Sequence, residues 1–269
     1  GILMDAATGL ISSPSHFTWM DTNYPAGTPR EGYPIEIQAL WIRMLRFLAR
    51  VGARGRRSKW EVLARQACDS VEKHFWLPEK NYYSDLLGCG RGVPAMQAVK
   101  DDALRSNACF LASLGISAGD RARSTVAAAA RHLLVPGALR SLAPMAVCVP
   151  LPVCDGSGRL LNDPHTPYWG RYEGDEDTRR KPAYHNGTAW VWTLPVFCEA
   201  LARAWDFAPG AVSAARAYLG STERLLCENC IGHLPEIVDG DAPHTQRGCD
   251  AQAWSVTETL RVWLLLGGK

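Results

Sequence analysis

Apolar residues recur along this chain at helical spacing, and wholly apolar helices alternate with amphipathic ones. Residues 33–50 are apolar on nearly every face, which predicts a helix buried all round. Residues 58–76 place apolar side chains at a 3.6-residue period with charges opposite, which predicts a helix with one wet face. The alternation continues through five further predicted helices, at residues 102–114, 117–134, 188–205, 209–227 and 249–266, with a bend expected at Pro195.

Seven helices that alternate in this way indicate a toroid with an inner and an outer helix layer. A plain bundle would make every helix amphipathic to a similar degree. A helical solenoid stays open as an alternative, although the sequence shows no repeat of roughly 30–45 residues. The predicted class is therefore all-α, with residues 1–269 forming part of one domain.

Three connections are long and rich in Gly, Pro, Asp and His, and they cover residues 78–100, 136–186 and 228–248. Long irregular loops in a compact domain are usually functional or disordered. Their Trp, Tyr and His content favours function. Short β-hairpins are expected within residues 136–186, and the charged run 171–181 is expected to be a solvated surface.

The composition excludes several classes of protein. The net charge is +2, and the short basic run 54–59 falls well below a nucleic-acid footprint. No apolar stretch reaches the 18 residues that a membrane span needs, so no membrane partner is expected. Nine Cys at irregular spacings differ from a disulfide framework and favour a reducing cytoplasm. Cys227 and Cys230 form a lone CxxC, which is a weak zinc signal, so no metal or cofactor is expected.

Two segments carry a carboxylate among aromatic, Gly and Pro residues ahead of an apolar helix, HFTWMD at 16–21 and the stretch 232–254. They contain Asp21 and Glu236. Glycosidic bond cleavage needs one protonated carboxyl group and one ionised carboxylate on separate sides of the bond. We therefore expect both loops to face one cavity, with the carboxyl groups roughly 6.5–9.5 Å apart if the enzyme inverts the anomeric centre.

The neighbours of these two acids suggest which is which. Phe17 and Trp19 surround Asp21 with apolar surface, which favours the protonated form of an acid. His244 and Arg247 share the loop of Glu236, where a cation would favour the ionised form or bind a sugar hydroxyl. The structural alternative for Asp21 is a turn residue. The alternative for the loop of Glu236 is a Ca²⁺-binding loop, although the spacing of its acidic residues does not follow the EF-hand pattern.

Four further residues are candidates for substrate binding. Arg30 and Glu36 are close enough to pair, so Glu36 is either a ligand for a substrate hydroxyl or half of a structural ion pair. His185 and Asn186 precede a predicted inner helix and could reach sugar hydroxyls, with helix capping the alternative for Asn186.

Aromatic residues near these segments could form a platform for a sugar ring. The candidates are Trp19, Trp190 and Trp254, of which Trp19 lies nearest to Asp21. Any one of them alone is more often part of a core than of a binding site.

Three motifs together resemble the amylo-α-1,6-glucosidase domain of the glycogen debranching enzyme family. They are FTWMDTNYPAGTPREGYPIEIQALW, YHNGTAWVWTLP and GHLPEIVDGDAPHTQRGCDAQAWS, and the resemblance runs from about residue 10 to about residue 265. It implies an (α/α)6 barrel of twelve helices and inverting removal of the α-1,6-linked glucose left at a trimmed branch. It also implies that Asp21 is the general acid and Glu236 the general base.

The chain departs from that family in showing seven helices, and it opens just before the motif that contains Asp21. We therefore expect the C-terminal portion of a barrel that is incomplete at its N-terminal side, with self-association or a missing N-terminal segment. The expected partner is glycogen or a branched maltodextrin. Two rival functions stay open: a related α-glucosidase or trehalase-like hydrolase acting on a small glucoside, and a non-catalytic glycan-binding toroid.

Overall fold

The computed structural model describes residues 1–22 and 27–267, and helices dominate this part of the chain. The nine helices found there are α1 Ile35–Val51, α2 Arg54–His74, α3 Cys109–Ser113, α4 Gly119–His132, α5 Lys181–Tyr184, α6 Thr193–Ala204, α7 Pro209–Gly220, α8 Glu223–Leu226 and α9 Ala253–Leu265. Each of the seven segments predicted as helical contains an α-helix, but only residues 109–113 of the segment 102–114 belong to one, and the segment 209–227 is divided between α7 and α8. The bend expected at Pro195 needs correction, because Pro195 lies in the first turn of α6, where its missing N–H breaks no helical hydrogen bond.

The long helices form two layers. Helices α1, α3, α6 and α9 pack one against the next along the inner layer. Outside them, α2 packs on α1, α4 on α3 and α6, and α7 on α6 and α9. The predicted alternation of inner and outer helices is thus present, but the arrangement within residues 1–22 and 27–267 is an open arc and not a closed barrel.

Small antiparallel sheets join the helices, so the predicted all-α class needs correction. The strands are β1 Leu3–Met4, β2 Ile11–Ser12, β3 Gly32–Pro34, β4 Trp76–Leu77, β5 Tyr82–Tyr83, β6 Leu86–Gly88, β7 Val99–Asp101, β8 Leu134–Val135, β9 Ala138–Arg140, β10 Ala189–Trp190, β11 Ile237–Val238 and β12 Gln246–Arg247. The largest sheet has five strands in the order β12-β11-β10-β9-β8. It brings together loops that are more than a hundred residues apart in sequence.

The middle and the ends of the inner layer differ in burial. Every residue of α3 is buried, and α6 is buried along nearly its whole length. The expectation that residues 33–50 are buried all round is wrong, because α1 buries only one side and exposes a second apolar face that includes Phe47. Helix α9 likewise exposes Leu260 and Leu264. None of the described residues covers these two faces, and self-association through them stays a prediction.

A cavity of about 510 Å³ opens on the concave side of this arc, lined by side chains of all four inner helices. No described helix is long and apolar enough to cross a membrane. The charged run 171–181 is largely exposed, as predicted, and part of it forms a turn of π-helix at Glu176–Arg180.

Candidate active site

The position of Glu236 is set by the pairing of strands β10 and β11. Trp190 lies opposite Ile237 in this antiparallel pair, and the amide of Val191 donates to the carbonyl of Glu236 over 3.2 Å. The amide of Glu236 in turn donates to the carbonyl of Cys249 over 2.8 Å, just beyond strand β12. Three segments of chain therefore fix the backbone of Glu236.

Two hydrogen bonds hold the carboxylate of Glu236. The hydroxyl of Tyr184 donates to Oε1 over 2.6 Å, and the amide of Cys249 donates to Oε2 over 3.0 Å. Gly248 makes the second bond possible, because its φ of 69° favours glycine and a Cβ there would lie 2.4 Å from Oε2. These two hydrogen bonds fix the orientation of the carboxylate.

Tyr184 connects the two candidate catalytic acids. Burial raises the pKa of the Tyr184 phenol above its usual value, and so do, in decreasing order, the hydrogen bond to Glu236 and the charges of Glu236, Tyr172 and Asp21. The phenol therefore stays protonated and acts as a donor. His185, the next residue in sequence, lies 2.7 Å from the hydroxyl of Thr22, which follows Asp21, so the segments of both acids meet at residues 184 and 185.

Asp21 is held through its neighbours in sequence. Met20 is fully buried, and the ring of Trp19 donates from Nε1 to Oδ1 of Asn107 over 2.7 Å. On the other side, the hydroxyl of Thr22 lies 2.7 Å from Nδ1 of His185. The residues that flank Asp21 are thus anchored in the interior, whereas Asp21 itself is exposed.

The exposure of Asp21 corrects one expectation. Phe17 is expected from the sequence to desolvate the acid, but in the structure Phe17 is itself 63% exposed. Residues 23–26, which follow soon after, lie outside the described part of the chain. Apolar surface from Phe17 therefore does not account for a protonated Asp21.

Arg30 and Glu36 form a buried ion pair, which is the structural alternative considered for Glu36. Nη2 of Arg30 lies 2.7 Å from Oε2 of Glu36, and Nε lies 2.7 Å from Oδ2 of Asp85. Burial alone would lower the pKa of Arg30, but the charges of Asp85 and Glu36 outweigh it and raise that pKa. Both side chains are almost inaccessible. The structure thus contains the ion pair, and binding of sugar hydroxyls by the two residues stays a prediction.

The buried network continues from this ion pair to the segment of Asp21. Nδ2 of Asn107 donates to Oδ1 of Asp85 over 2.8 Å, so Asn107 joins Asp85 to the ring of Trp19. Nη1 of Arg30 donates to the hydroxyl of Thr18 over 3.1 Å. The network thus fastens the segment that carries Asp21 from behind.

Asn186 belongs to the same interior and also lines a cavity of about 400 Å³ together with Arg30. Its Oδ1 accepts from Nη2 of Arg105 over 3.0 Å, and its Nδ2 donates to the carbonyl of Pro182 over 3.0 Å. The helix-capping alternative is wrong, because α6 begins later at Thr193, whereas sugar binding by Asn186 stays a prediction. Its role is to tie α5 to Arg105.

His185 is fully buried among aromatic rings. It stacks on Trp190 at 5.2 Å with an interplanar angle of 16° and meets the edge of Trp19. Burial, followed by the charges of Arg105 and Arg30, lowers the pKa of His185 well below its ordinary value, so the ring stays neutral. Its contact with Thr22 makes it a support for the Asp21 segment, and its role as a sugar ligand stays a prediction.

His244 and Arg247 do not contact the carboxylate of Glu236. Nδ1 of His244 lies 3.0 Å from the carbonyl of Asp239. Arg247 pairs with Asp239 over 3.1 Å and with Glu173 over 3.4 Å. The expected contact of these two side chains with Glu236 is not found: Tyr184 and Cys249 supply its hydrogen bonds instead.

The three Trp candidates are spread over two places. Trp19 packs edge-on against Trp190 and Trp192 beside the segment of Asp21. Trp254 stacks on Trp192 with ring centres 3.9 Å apart and is 40% exposed, on the wall of the cavity inside the arc. Trp190 is a core residue of the site, whereas Trp19 and Trp254 both line the cavity inside the arc.

Sequence reasoning missed Tyr184 and Asn107 as members of the site. Tyr184 stands in the quoted YHNG motif, so its position carried a signal, but its partner Glu236 is 52 residues away. Asn107 lies in a mostly apolar helical segment, where a buried amide that needs partners was the available signal. Among the described residues, no cluster of three or more His, Cys, Asp or Glu side chains could hold a metal ion.

A family model described as amylo-alpha-1,6-glucosidase matches residues 1–148 and 158–261 of the chain. The chain belongs to the amylo-alpha-1,6-glucosidase family. That membership covers both the TWMD segment with Asp21 and the hairpin with Glu236. It identifies this family member as a protein of the glycoside hydrolase type.

Curated relatives of this amylo-alpha-1,6-glucosidase family member include trehalases. The periplasmic trehalase of Salmonella paratyphi C (strain RKS4594) is 31% identical over 127 residues, which are 45% of this chain and 21% of that protein. The putative periplasmic trehalase of Salmonella typhi matches to the same extent. The matched region is thus about a fifth of the length of these relatives.

Solved structures with a similar fold are glycoside hydrolases by their titles. The GH63 mannosylglycerate hydrolase from Thermus thermophilus in complex with glucose has a TM-score of 0.54 at 16% identity, over 87% of this chain and 48% of that one. The neutral trehalase Nth1 from Saccharomyces cerevisiae has a TM-score of 0.53 at 13% identity, over 87% and 40% respectively. At this identity the likeness concerns the fold alone, and the chain spans less than half of either structure.

Proposed function

We propose that this protein is an inverting glycoside hydrolase that removes α-1,6-linked glucose from branch stubs of glycogen or maltodextrin. Asp21 is the general acid and Glu236 is the general base. The (α/α)6 barrel implied by the sequence resemblance completes the proposal, with the open arc of inner and outer helices as its C-terminal portion. Family membership and the TWMD and YHNG motifs support this assignment.

The observation that carries the proposal is the meeting of the two segments that contain the acids. Thr22, next to Asp21, lies 2.7 Å from Nδ1 of His185, and the adjacent Tyr184 donates to Glu236 over 2.6 Å. Hydrolysis of a glycosidic bond needs two carboxyl groups near one small volume. The contact between the two segments supports such a pairing of Asp21 with Glu236.

The exposed carboxyl group of Asp21 suits the role of an acid that must reach the substrate. It donates a proton to the glycosidic oxygen as the bond to the anomeric carbon breaks. The leaving chain then departs as an alcohol. Trp19, two residues before the acid, is half-buried and supplies an aromatic surface for the sugar.

The fixed carboxylate of Glu236 suits the role of a base. Tyr184 and Cys249 occupy one lone pair on each of its oxygens and leave others to accept a proton. It takes that proton from a water molecule as the water attacks the anomeric carbon from the face opposite the leaving oxygen. An α-linked glucose then leaves as β-glucose.

A second candidate function is hydrolysis of a small α-glucoside such as trehalose. The specific observation in its favour is the 31% identity to periplasmic trehalase over 127 residues. The same two carboxyl groups would perform the same chemistry, so the two functions differ in what occupies the leaving-group side of the site.

The deciding experiment measures free glucose released from a phosphorylase limit dextrin and, in parallel, from trehalose. Release from the dextrin alone supports the proposed function, and release from trehalose alone favours the second candidate. The D21N and E236Q variants serve as controls for contaminating activity. Glycan binding without glucose release from either substrate would contradict both and leave the non-catalytic toroid.

A further inference from the structure

A second cavity of about 520 Å³ lies along residues 168–173, beside the candidate active site. The ring of Tyr172 packs at 5.3 Å against that of Tyr184, whose hydroxyl donates to Glu236. The residues of the segment that line the cavity are Tyr168, Trp169, Gly170, Arg171 and Glu173. The segment therefore contacts the candidate active site through Tyr172 and the cavity through the residues around it.

The second cavity forms a groove, and at its base the backbone of Gly170 lies close to the side chains of Tyr168 and Asp241. The hydroxyl of Tyr168 donates to Oδ1 of Asp241 over 2.8 Å. Gly170 lies directly beneath this pair, and a Cβ there would lie 2.4 Å from the Tyr168 hydroxyl and 2.6 Å from Oδ1 of Asp241. The amide of Trp169 donates to the carbonyl of Asn186 over 2.7 Å, which ties the groove to the segment that carries Tyr184.

The side chains in the groove suit an uncharged ligand with many hydroxyl groups. Trp169 supplies a half-buried aromatic surface, with the guanidinium of Arg179 6.0 Å from its ring centre. Arg179 forms no ion pair with the residues described in the structure, so its donors are available. Oδ2 of Asp241 accepts no hydrogen bond from the residues that the structure describes, so it can accept one from a ligand. Donors, acceptors and a flat apolar surface together match the faces of a pyranose ring.

The charged side chains in the groove argue against a phosphate or a nucleic acid as its ligand. Carboxylates of Asp163, Glu173 and Asp241 line the groove together with two guanidinium groups. This near balance disfavours a phosphate or a nucleic acid, which needs an excess of positive charge. The cavity volume lies within the usual range for small-molecule sites.

We propose that this groove is an accessory site that binds a linear chain of α-linked glucose units while a branch of the same polysaccharide occupies the candidate active site. The proposal rests on the proposed function, since it assumes an α-glucan substrate. Its consequence is tighter attachment to large branched substrates, because two linked sites raise the effective concentration of one for the other.

The test measures binding in the E236Q background, where hydrolysis does not consume the ligand. Maltoheptaose is titrated by calorimetry, and retardation is measured in gels that contain glycogen. W169A should weaken binding to maltoheptaose about tenfold, since loss of one aromatic stacking surface has roughly that effect. R179A, an exposed side chain whose removal leaves the fold intact, should weaken it by about three- to tenfold. W60A removes a half-buried Trp on α2, outside the groove, and should bind like the parent.

Unchanged binding in both W169A and R179A would overturn the proposal. So would loss of α-glucosyl fluoride hydrolysis in R179A, because the groove would then be part of the reaction site. The proposed function can fail separately. Retention by glycogen that depends on Trp169, without glucose release from a limit dextrin, would keep the accessory site and remove the debranching activity.

Discussion

Glu236 and Asp21 are held in opposite ways. Strands β10, β11 and β12 fix the backbone of Glu236, and Tyr184 and Cys249 orient its carboxylate directly. Asp21 has an exposed side chain, and only its sequence neighbours are anchored, through a buried polar network that reaches Asn107. The side chain of Glu236 is therefore held by its own hydrogen bonds. Asp21 is held in place only by the contacts of its sequence neighbours. Substitutions near each should produce different kinetic signatures.

The largest expected effect comes from removing each carboxyl group in turn. E236Q should slow hydrolysis of both an α-1,6-linked dextrin and α-glucosyl fluoride by about 10²–10⁴-fold, because water activation is lost for each. D21N should slow the dextrin to a similar degree but spare much of the fluoride reaction, whose leaving group needs little protonation. Steady-state kinetics on both substrates measure the difference. D120N, which removes an exposed carboxylate on α4, should match the parent. If D21N slowed hydrolysis of the dextrin and of α-glucosyl fluoride to the same degree, Asp21 would not be the general acid.

The next effect concerns the network behind the acid. R30A leaves the carboxylates of Glu36 and Asp85 buried without their shared cation, and it should lower the free energy of unfolding by about 3–5 kcal/mol. Urea denaturation at neutral pH measures this loss. K181A breaks an exposed pair with Asp177 and should leave the unfolding midpoint almost unchanged. Equal effects of the two variants would mean that the buried network does not stabilise this part of the fold.

Two conservative variants separate the acid side from the base side. Y184F removes one hydrogen bond to the carboxylate of Glu236 and should slow both substrates by about tenfold or more. N107A frees the ring of Trp19 and should slow the dextrin by about tenfold with a smaller effect on α-glucosyl fluoride. The ratio to compare is the slowing of the dextrin relative to that of α-glucosyl fluoride. If this ratio were the same in Y184F and N107A, the contrast between Glu236, held directly, and Asp21, held through its neighbours, would be wrong.

The smallest predicted effect is a pH dependence that arises from His185. Its pKa is lowered in the folded protein, so the unfolded chain binds more protons below the ordinary His pKa of about 6.5. Stability from this group is therefore present at pH 7.5 and is lost as the pH falls. H185N, which retains a polar atom near Thr22, should reduce the loss between pH 7.5 and pH 5.5 by about 1 kcal/mol. Parallel slopes for both proteins in urea titrations would contradict a buried neutral His185.

The sequence predicted the helices well because their signal is local. Helix α2 was predicted from a 3.6-residue period and α1 from a long apolar stretch, and both signals need only the residues of the helix itself. Short hairpins were expected only within residues 136–186, and the other strands were not predicted, because two or three residues carry no periodicity. The exposed apolar faces of α1 and α9 could not be predicted either, since burial depends on which neighbours a helix has.

The same distinction explains the site. Arg30 and Glu36 are six residues apart, and their pairing was foreseen as one alternative. Asp85, which completes the pair, is far away in sequence and became visible only through the fold. Tyr184 meets Glu236 because β10 pairs with β11, a contact that no local pattern encodes. Candidate acids can therefore be named from motifs, whereas the groups that orient them need the structure.

The most direct test of the central claim, that Asp21 and Glu236 act as an inverting pair, is the configuration of the first product. Proton NMR recorded during hydrolysis of an α-1,6-linked dextrin, before mutarotation equilibrates the anomers, resolves the two forms of glucose. The account predicts β-glucose, because water activated by Glu236 attacks the face opposite the leaving oxygen. Fresh α-glucose would contradict it and would make Glu236 a nucleophile instead of a base.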